Sequence, residues 1–258
     1  FEYLQKEQIF ELNKDFQKLK YPLFVNLKRS KSLKDLLKSI YYFLNYLVLN
    51  IQGNYNIVLK DPISIFNIQN YIDYGYKIVL TQRNPFSFIS SLHVKKWNFD
   101  FNHILSQEKL MLTFPLEIQK QIKSYSNSKN IPIIDQGILL WNIFTSFISK
   151  IDQENLIIVN HEQLSLNPLD EFKELYNKLG LSFNQDIECV IHKTTMNSKV
   201  PKNEKSNDLI RNSKKNLYSF KRRLNEAQIK HIFQATKMYM TPTYKGFIMD
   251  TFKIKEIL

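Results

Sequence analysis

Residues 77–97 read KIVLTQRNPFSFISSLHVKKW. Lys77 to Thr81 is a short apolar run rich in β-branched residues, which predicts a buried strand. Gln82-Arg83-Asn84-Pro85 then sets a capping residue before a proline, the mark of a helix start, and 85–97 reads as that helix. Upstream, Tyr55 to Lys60 (YNIVLK) is a second strand of the same kind, placed after a turn at Gly53-Asn54. Asp61-Pro62 opens a helix through Ile65, Ile68 and Ile72, and Gly75 closes it. Strand, helix, strand, helix at this spacing predicts a βαβ unit with parallel strands and a right-handed crossover.

Downstream, 98–135 reads as helical pieces broken by Pro115 and by the Ser/Asn-rich stretch 124–130. Gln136 to Ile151 is a strongly apolar helix, and Asn155 to Val159 (NLIIV) a third buried strand. A His161-Glu162 loop follows, then Asn167-Pro168 and a helix through Leu179 that Gly180 closes. Residues 197–216 are polar, rich in Lys, Asn and Ser and aperiodic, which predicts a surface or binding loop. Asn225 with Gln228 forms a capping box for the last helix, to about Tyr239. Residues 5–20, with a helical apolar stripe, and Leu33 to Leu49 add two helices ahead of the first strand. The expected class is α/β, one domain over 1–258 with a mostly parallel sheet and flanking helices. Runs such as NIVLK and NLIIV, with little alternation, imply strands buried on both faces.

The 258 residues are 43% hydrophobic and 14% aromatic, enough for a packed core and too apolar for wholesale disorder. A single cysteine, Cys189, excludes an intrachain disulfide framework and a cysteine-based zinc cage. The net charge of +12, with a pI near 9.5, suits anionic partners. Yet only five of the 36 basic side chains are arginine, and glycine occurs five times where average usage gives about 18. That bias points to an A+T-rich coding sequence, so the charge is weak ground for a nucleic-acid partner, and none is expected. The most apolar run, Ile40 to Ile51, is 12 residues long and contains Asn45 and Asn50, short of a bilayer span. No charged leader with an apolar stretch is visible, so a cytoplasmic location is expected. The chain opens at Phe1 rather than methionine, and a preceding N-terminal piece is part of the expectation.

In an open parallel sheet, ligands bind outside the carboxyl ends of the strands, beside helix N-termini. Arg83 stands at such a point, where free N–H groups and the helix dipole favour an anion and a guanidinium adds a bidentate fork. Asn84, Ser87 and Ser91 fall on one helix face, so the Ser91 hydroxyl is within reach of an anion held by Arg83. The plainer alternative is a surface arginine with ordinary helix serines. Lys60, at the end of the 55–60 strand, projects into the same crevice if the strands are neighbours; otherwise it snorkels to solvent. His161-Glu162, His93 and His103 have no metal-ligand spacing, so no metal is expected, and Ser90-Ser91 lacks the elbow of a hydrolase nucleophile.

Val58-Leu59-Lys60-Asp61-Pro62, then Ile78-Val79-Leu80-Thr81-Gln82-Arg83-Asn84-Pro85 with Ser90-Ser91-Leu92, resembles the core of sulfotransferases that use 3′-phosphoadenosine 5′-phosphosulfate. Leu156-Ile157-Ile158-Val159-Asn160-His161-Glu162-Gln163-Leu164, followed by Asn167-Pro168 and Lys178-Leu179-Gly180-Leu181, resembles that family's segment of strand, Tyr-Glu-Asp-Leu, Asn-Pro, helix and Leu-Gly-Leu. Leu224-Asn225-Glu226-Ala227-Gln228 is similar to its late helix start, so the likeness covers about 55–245. It implies a P-loop-like α/β fold and transfer of a sulfuryl group to a hydroxyl or amine on a small-molecule or glycan acceptor. It also implies Arg83 and Ser91 on the cofactor's 3′-phosphate and Lys60 at the leaving 5′-phosphate. Glu2 would be the base, with Thr195 near the adenine and Arg211 as a partial match to a phosphate clamp. The family's Ser-Gly-Thr phosphosulfate loop has no counterpart in this sequence, and Pro62 stands where one branch has a basic histidine. An N-terminal strand and loop are therefore expected ahead of Phe1, and the 258 residues are expected to fold but transfer no sulfate without them. The rival expectations are a P-loop kinase, which lacks a visible Walker lysine here, and a basic glycan- or nucleotide-binding protein without turnover.

Overall fold

A computed structural model describes residues 64–128, 130–151, 154, 156–195 and 212–256. The chain divides into two compact units, Glu2–Asn70 and Tyr71–Leu258, and 64–70 are the described residues of the first. The strand expected over 55–60 and the helices expected over 5–20 and 33–49 lie outside the described residues.

A 3-10 turn at Ser64–Asn67 leads into α1 (Ile68–Asp73). Gly75 closes α1 with φ +81°, a left-handed conformation that glycine adopts without strain. The Gly75 and Tyr76 N–H groups donate back to Ile72 and Tyr71 carbonyls at 2.8 and 3.0 Å, the Schellman pattern. β1 (Ile78–Gln82) runs one residue later than expected and feeds α2 (Pro85–Lys95) through the Asn84 cap. α2 stops before 97 because Lys96 turns left-handed, φ +52°. Helices α3 (Asn102–Leu105), α4 (Glu108–Met111) and α5 (Leu116–Ser126) follow, with Pro115 at the α5 start as its sequence position predicts. The long apolar helix α6 is Ile133–Ile148, three residues earlier than expected, since Pro132 sets its start.

β2 (Leu156–Asn160) pairs parallel to β1, from Ile78 against Leu156 to Gln82 against Asn160. Where a His161-Glu162 loop was expected, Asn160 caps a short helix, α7 (His161–Leu166). α8 (Pro168–Leu179) ends at Gly180, φ +70°, as predicted. α9 (Gln185–Thr195) was not foreseen. The expected 197–216 loop lies outside the described residues through 211, and its last part is instead the helix α10 (Ser213–Leu217), capped by Asn212. α11 (Glu226–Thr236) carries the predicted Asn225–Gln228 capping box, and α12 (Pro242–Thr251) adds a helix that the sequence reading omitted. The result is mostly helical with a small two-stranded parallel sheet, compatible with the α/β class.

The expectation of strands buried on both faces is corrected. Val79 is 41% and Ile158 37% exposed, on opposite faces of the pair, and β1 alternates half-buried with exposed positions. Burial concentrates instead where α2, α6, α11 and α12 meet, with Phe86, Ile89, Ile138, Trp141, Ile232 and Ile248 among the core side chains. α2 lies close along α6 at Gly137, where an added Cβ would stand 3.1 Å from the fully buried Ile89. Among the described residues, no helix is long and apolar enough to cross a membrane.

Candidate functional site

The two strands end side by side, and each hands its chain to a helix through an asparagine. Asn84 Oδ1 accepts from the Ser87 N–H at 2.8 Å. Asn160 Oδ1 accepts from the Glu162 and Gln163 N–H groups at 2.9 and 3.3 Å. Because Gln82 pairs with Asn160, Arg83 and His161 are the residues that follow the two neighbouring strands.

Glu162 joins these junctions and is 0% exposed. Its Oε1 accepts from the Asn84 N–H at 3.0 Å and from Asn84 Nδ2 at 2.6 Å. Its Oε2 accepts from the Tyr244 hydroxyl at 3.3 Å. On the other side, Trp141 Nε1 donates to the Arg83 carbonyl at 3.0 Å. The Arg83–Asn84 peptide is therefore held at both its polar groups, its C=O by Trp141 of α6 and its N–H by Glu162 of α7. Buried main-chain groups are satisfied this way almost without exception, and here the result is a fixed root for the Arg83 side chain.

The electrostatics follow from burial. Desolvation pushes the His161 imidazole below its ordinary value of 6.5; the Arg83 charge pushes the same way, and Glu162 opposes both. Burial pushes the Tyr244 hydroxyl well above 10, helped by the Glu162 charge and their hydrogen bond and opposed by Arg83. His161 Nδ1 lies 3.9 Å from Glu162 Oε1, with the His161 side chain 36% exposed.

The predicted anion site changes in kind. Free N–H groups were expected at the start of α2, but Pro85 has none, the Asn84 N–H is taken by Glu162 and the Ser87 N–H by the Asn84 side chain. Glu162 is in effect the anion that this helix start already holds. An external anion must be held chiefly by side chains. Ser87, expected to share a ligand-facing surface with Asn84 and Ser91, is buried and accepts from Asn84 Nδ2 at 3.0 Å. Ser91 is half-buried on α2, two turns beyond the cap.

The other candidates fall elsewhere. Thr195 ends α9; its hydroxyl donates to the Ile191 carbonyl at 2.7 Å, and its own carbonyl accepts from Ser213 Oγ at 3.0 Å. Lys60, Glu2 and Arg211 lie outside the described residues. Trp141 and Tyr244 were not singled out beforehand, and Glu162 stood only in the His161-Glu162 pair set aside as a metal ligand and in the family-like segment. The Thr241-Pro242 start of α12 repeats the pattern of Asn84-Pro85 and would have revealed that helix, though not the target of its tyrosine. Comparisons with protein-family models, curated proteins and solved structures give no match for this chain.

Proposed function

We propose that this chain is a sulfotransferase with a P-loop-like α/β fold, moving a sulfuryl group from 3′-phosphoadenosine 5′-phosphosulfate to a hydroxyl or amine. The observation that carries this reading is the locked Arg83 peptide at the shared carboxyl end of two parallel strands, with Ser91 eight residues further on. Arg83 and Ser91 hold the 3′-phosphate, and the fixed Arg83 backbone lowers the ordering cost of binding. In the transfer step the acceptor oxygen or nitrogen bonds to sulfur as the sulfur–oxygen bond to the 5′-phosphate breaks. The products are the sulfated acceptor and 3′,5′-diphosphoadenosine. Lys60 neutralises charge on the departing phosphate, and a carboxylate, Glu2, takes the acceptor's proton.

Calorimetry with 3′,5′-diphosphoadenosine and AMP tests the phosphate reading. The diphosphate should bind more tightly, and Arg83→Ala should cost roughly 1.5–3 kcal/mol of that preference, the worth of a hydrogen bond to a charged group. Equal affinities, or a preference unaltered by Arg83→Ala, overturn it. Radiolabel transfer from the donor to a phenol, alcohol or glycan acceptor would establish turnover, which binding alone does not give.

A further inference from the structure

Resting on the reading of Arg83 and Ser91 as phosphate ligands, we infer that His161 is a third ligand of that phosphate and binds it as an imidazolium, so that phosphate binding takes up a proton. Three observations lead there. The strand register sets His161 beside Arg83 at the end of the sheet. Its ring is 36% exposed, open to a ligand, while its other side faces Glu162 at 3.9 Å. The main-chain donors at positions 84 and 87 are consumed internally and Pro85 offers none, so side-chain charge carries most of the hold on an anion there.

The charge balance favours the proton. Arg83 and the buried Glu162 carry opposite charges and nearly cancel. With neutral His161 the junction's net attraction to a phosphate group that carries about −1.5 to −2 charge is weakened by Glu162. One proton on the ring supplies a positive charge where the anion arrives, and two N–H donors in place of one. Burial and Arg83 keep the empty site's ring neutral near pH 7, so the proton arrives with the ligand. The charges facing the ring are Arg83 and Glu162. Tyr244, behind Glu162, stays a neutral phenol. Of the helices packed on α7, α8 brings exposed Asp170 and half-buried Glu171 in its first turn, and α10 brings Lys214 and Lys215, both exposed. The linkage is reciprocal: phosphate must raise the His161 pKa by the same factor by which protonation tightens phosphate binding.

The experiment follows the His161 ring signals by NMR in the 258-residue chain, across pH 5 to 8.5, with and without 3′,5′-diphosphoadenosine, assigned by their loss in His161→Gln. The expected result is an upward shift of the midpoint by about one pH unit, equivalent to tenfold tighter binding by the protonated form. Calorimetry in two buffers of different ionisation heat should show proton uptake near pH 7. The affinity ratio of wild type to His161→Gln should grow about three- to fivefold between pH 8 and 6, approaching tenfold only below the unliganded ring's midpoint; taking the ratio removes the ligand's own titration. A diphosphate preferred over AMP, with a His161 midpoint unmoved and that ratio flat, refutes the role of His161 and leaves Arg83 standing. No preference over AMP at any pH refutes the Arg83 reading and this inference with it.

Discussion

Replacing Glu162 by alanine removes the acceptor for three buried donors at once: the Asn84 N–H, Asn84 Nδ2 and the Tyr244 hydroxyl. Asn84 is 0% exposed, so bulk solvent does not reach its main-chain donor. Each buried donor left unsatisfied costs about 1–3 kcal/mol, and removal of one side of a buried charged cluster typically costs about 3–5 kcal/mol in all. Arg83 would also lose its neighbouring negative charge. We expect Glu162→Ala to lower stability by about 3–5 kcal/mol, roughly 6–20 °C in Tm for a unit of this size. Glu162→Gln keeps the volume and one acceptor oxygen and should lose less than half as much. Tyr244→Phe removes only the 3.3 Å bond, long for O–H···O, and should cost about 1 kcal/mol. Urea unfolding of the two singles and the double variant, followed by circular dichroism, gives the coupling between Glu162 and Tyr244. A Glu162→Ala loss under 1 kcal/mol, or Tyr244→Phe costing the same with Glu162 present as without it, would show that this carboxylate does not hold the junction together.

Gly137→Ala should destabilise by about 1 kcal/mol or more, although alanine is the better helix former by nearly that amount. The new Cβ would meet Ile89 at 3.1 Å, and Ile89 is fully buried, so it must shift within a packed core; an unfolding midpoint raised by the substitution would contradict this close approach. The His161 pKa is depressed in the folded chain, so the stability it contributes is fully present above about pH 6.5 and is lost as pH falls through the folded value. Urea midpoints should therefore decline below pH 6.5 less steeply in His161→Gln than in wild type, and identical slopes would remove the assignment.

The sequence alone determined whatever is settled within one or two helical turns. The Asn84-Pro85 start of α2, the Gly75 and Gly180 closures and the Asn225–Gln228 capping box stand where they were expected, because each joins groups a few residues apart. Strands 77–81 and 155–159 were legible to within one residue, and so was their parallel sense. Which faces they bury was not, since an apolar run records a preference for burial and not the presence of a covering layer. The site divides along the same line. Arg83 was legible as a strand-end arginine before a helix. That its peptide is clamped by Trp141, 58 residues from Arg83, and by Glu162, 78 residues from Asn84, was not. Neither was the Tyr244 hydroxyl on Glu162 across 82 positions. Those contacts require long loops to close, and loop closure is decided by the packing of α2, α6 and α12 together, which no local pattern encodes. Only the tertiary structure could therefore show that the helix start read as open to an anion already holds one, the carboxylate of Glu162.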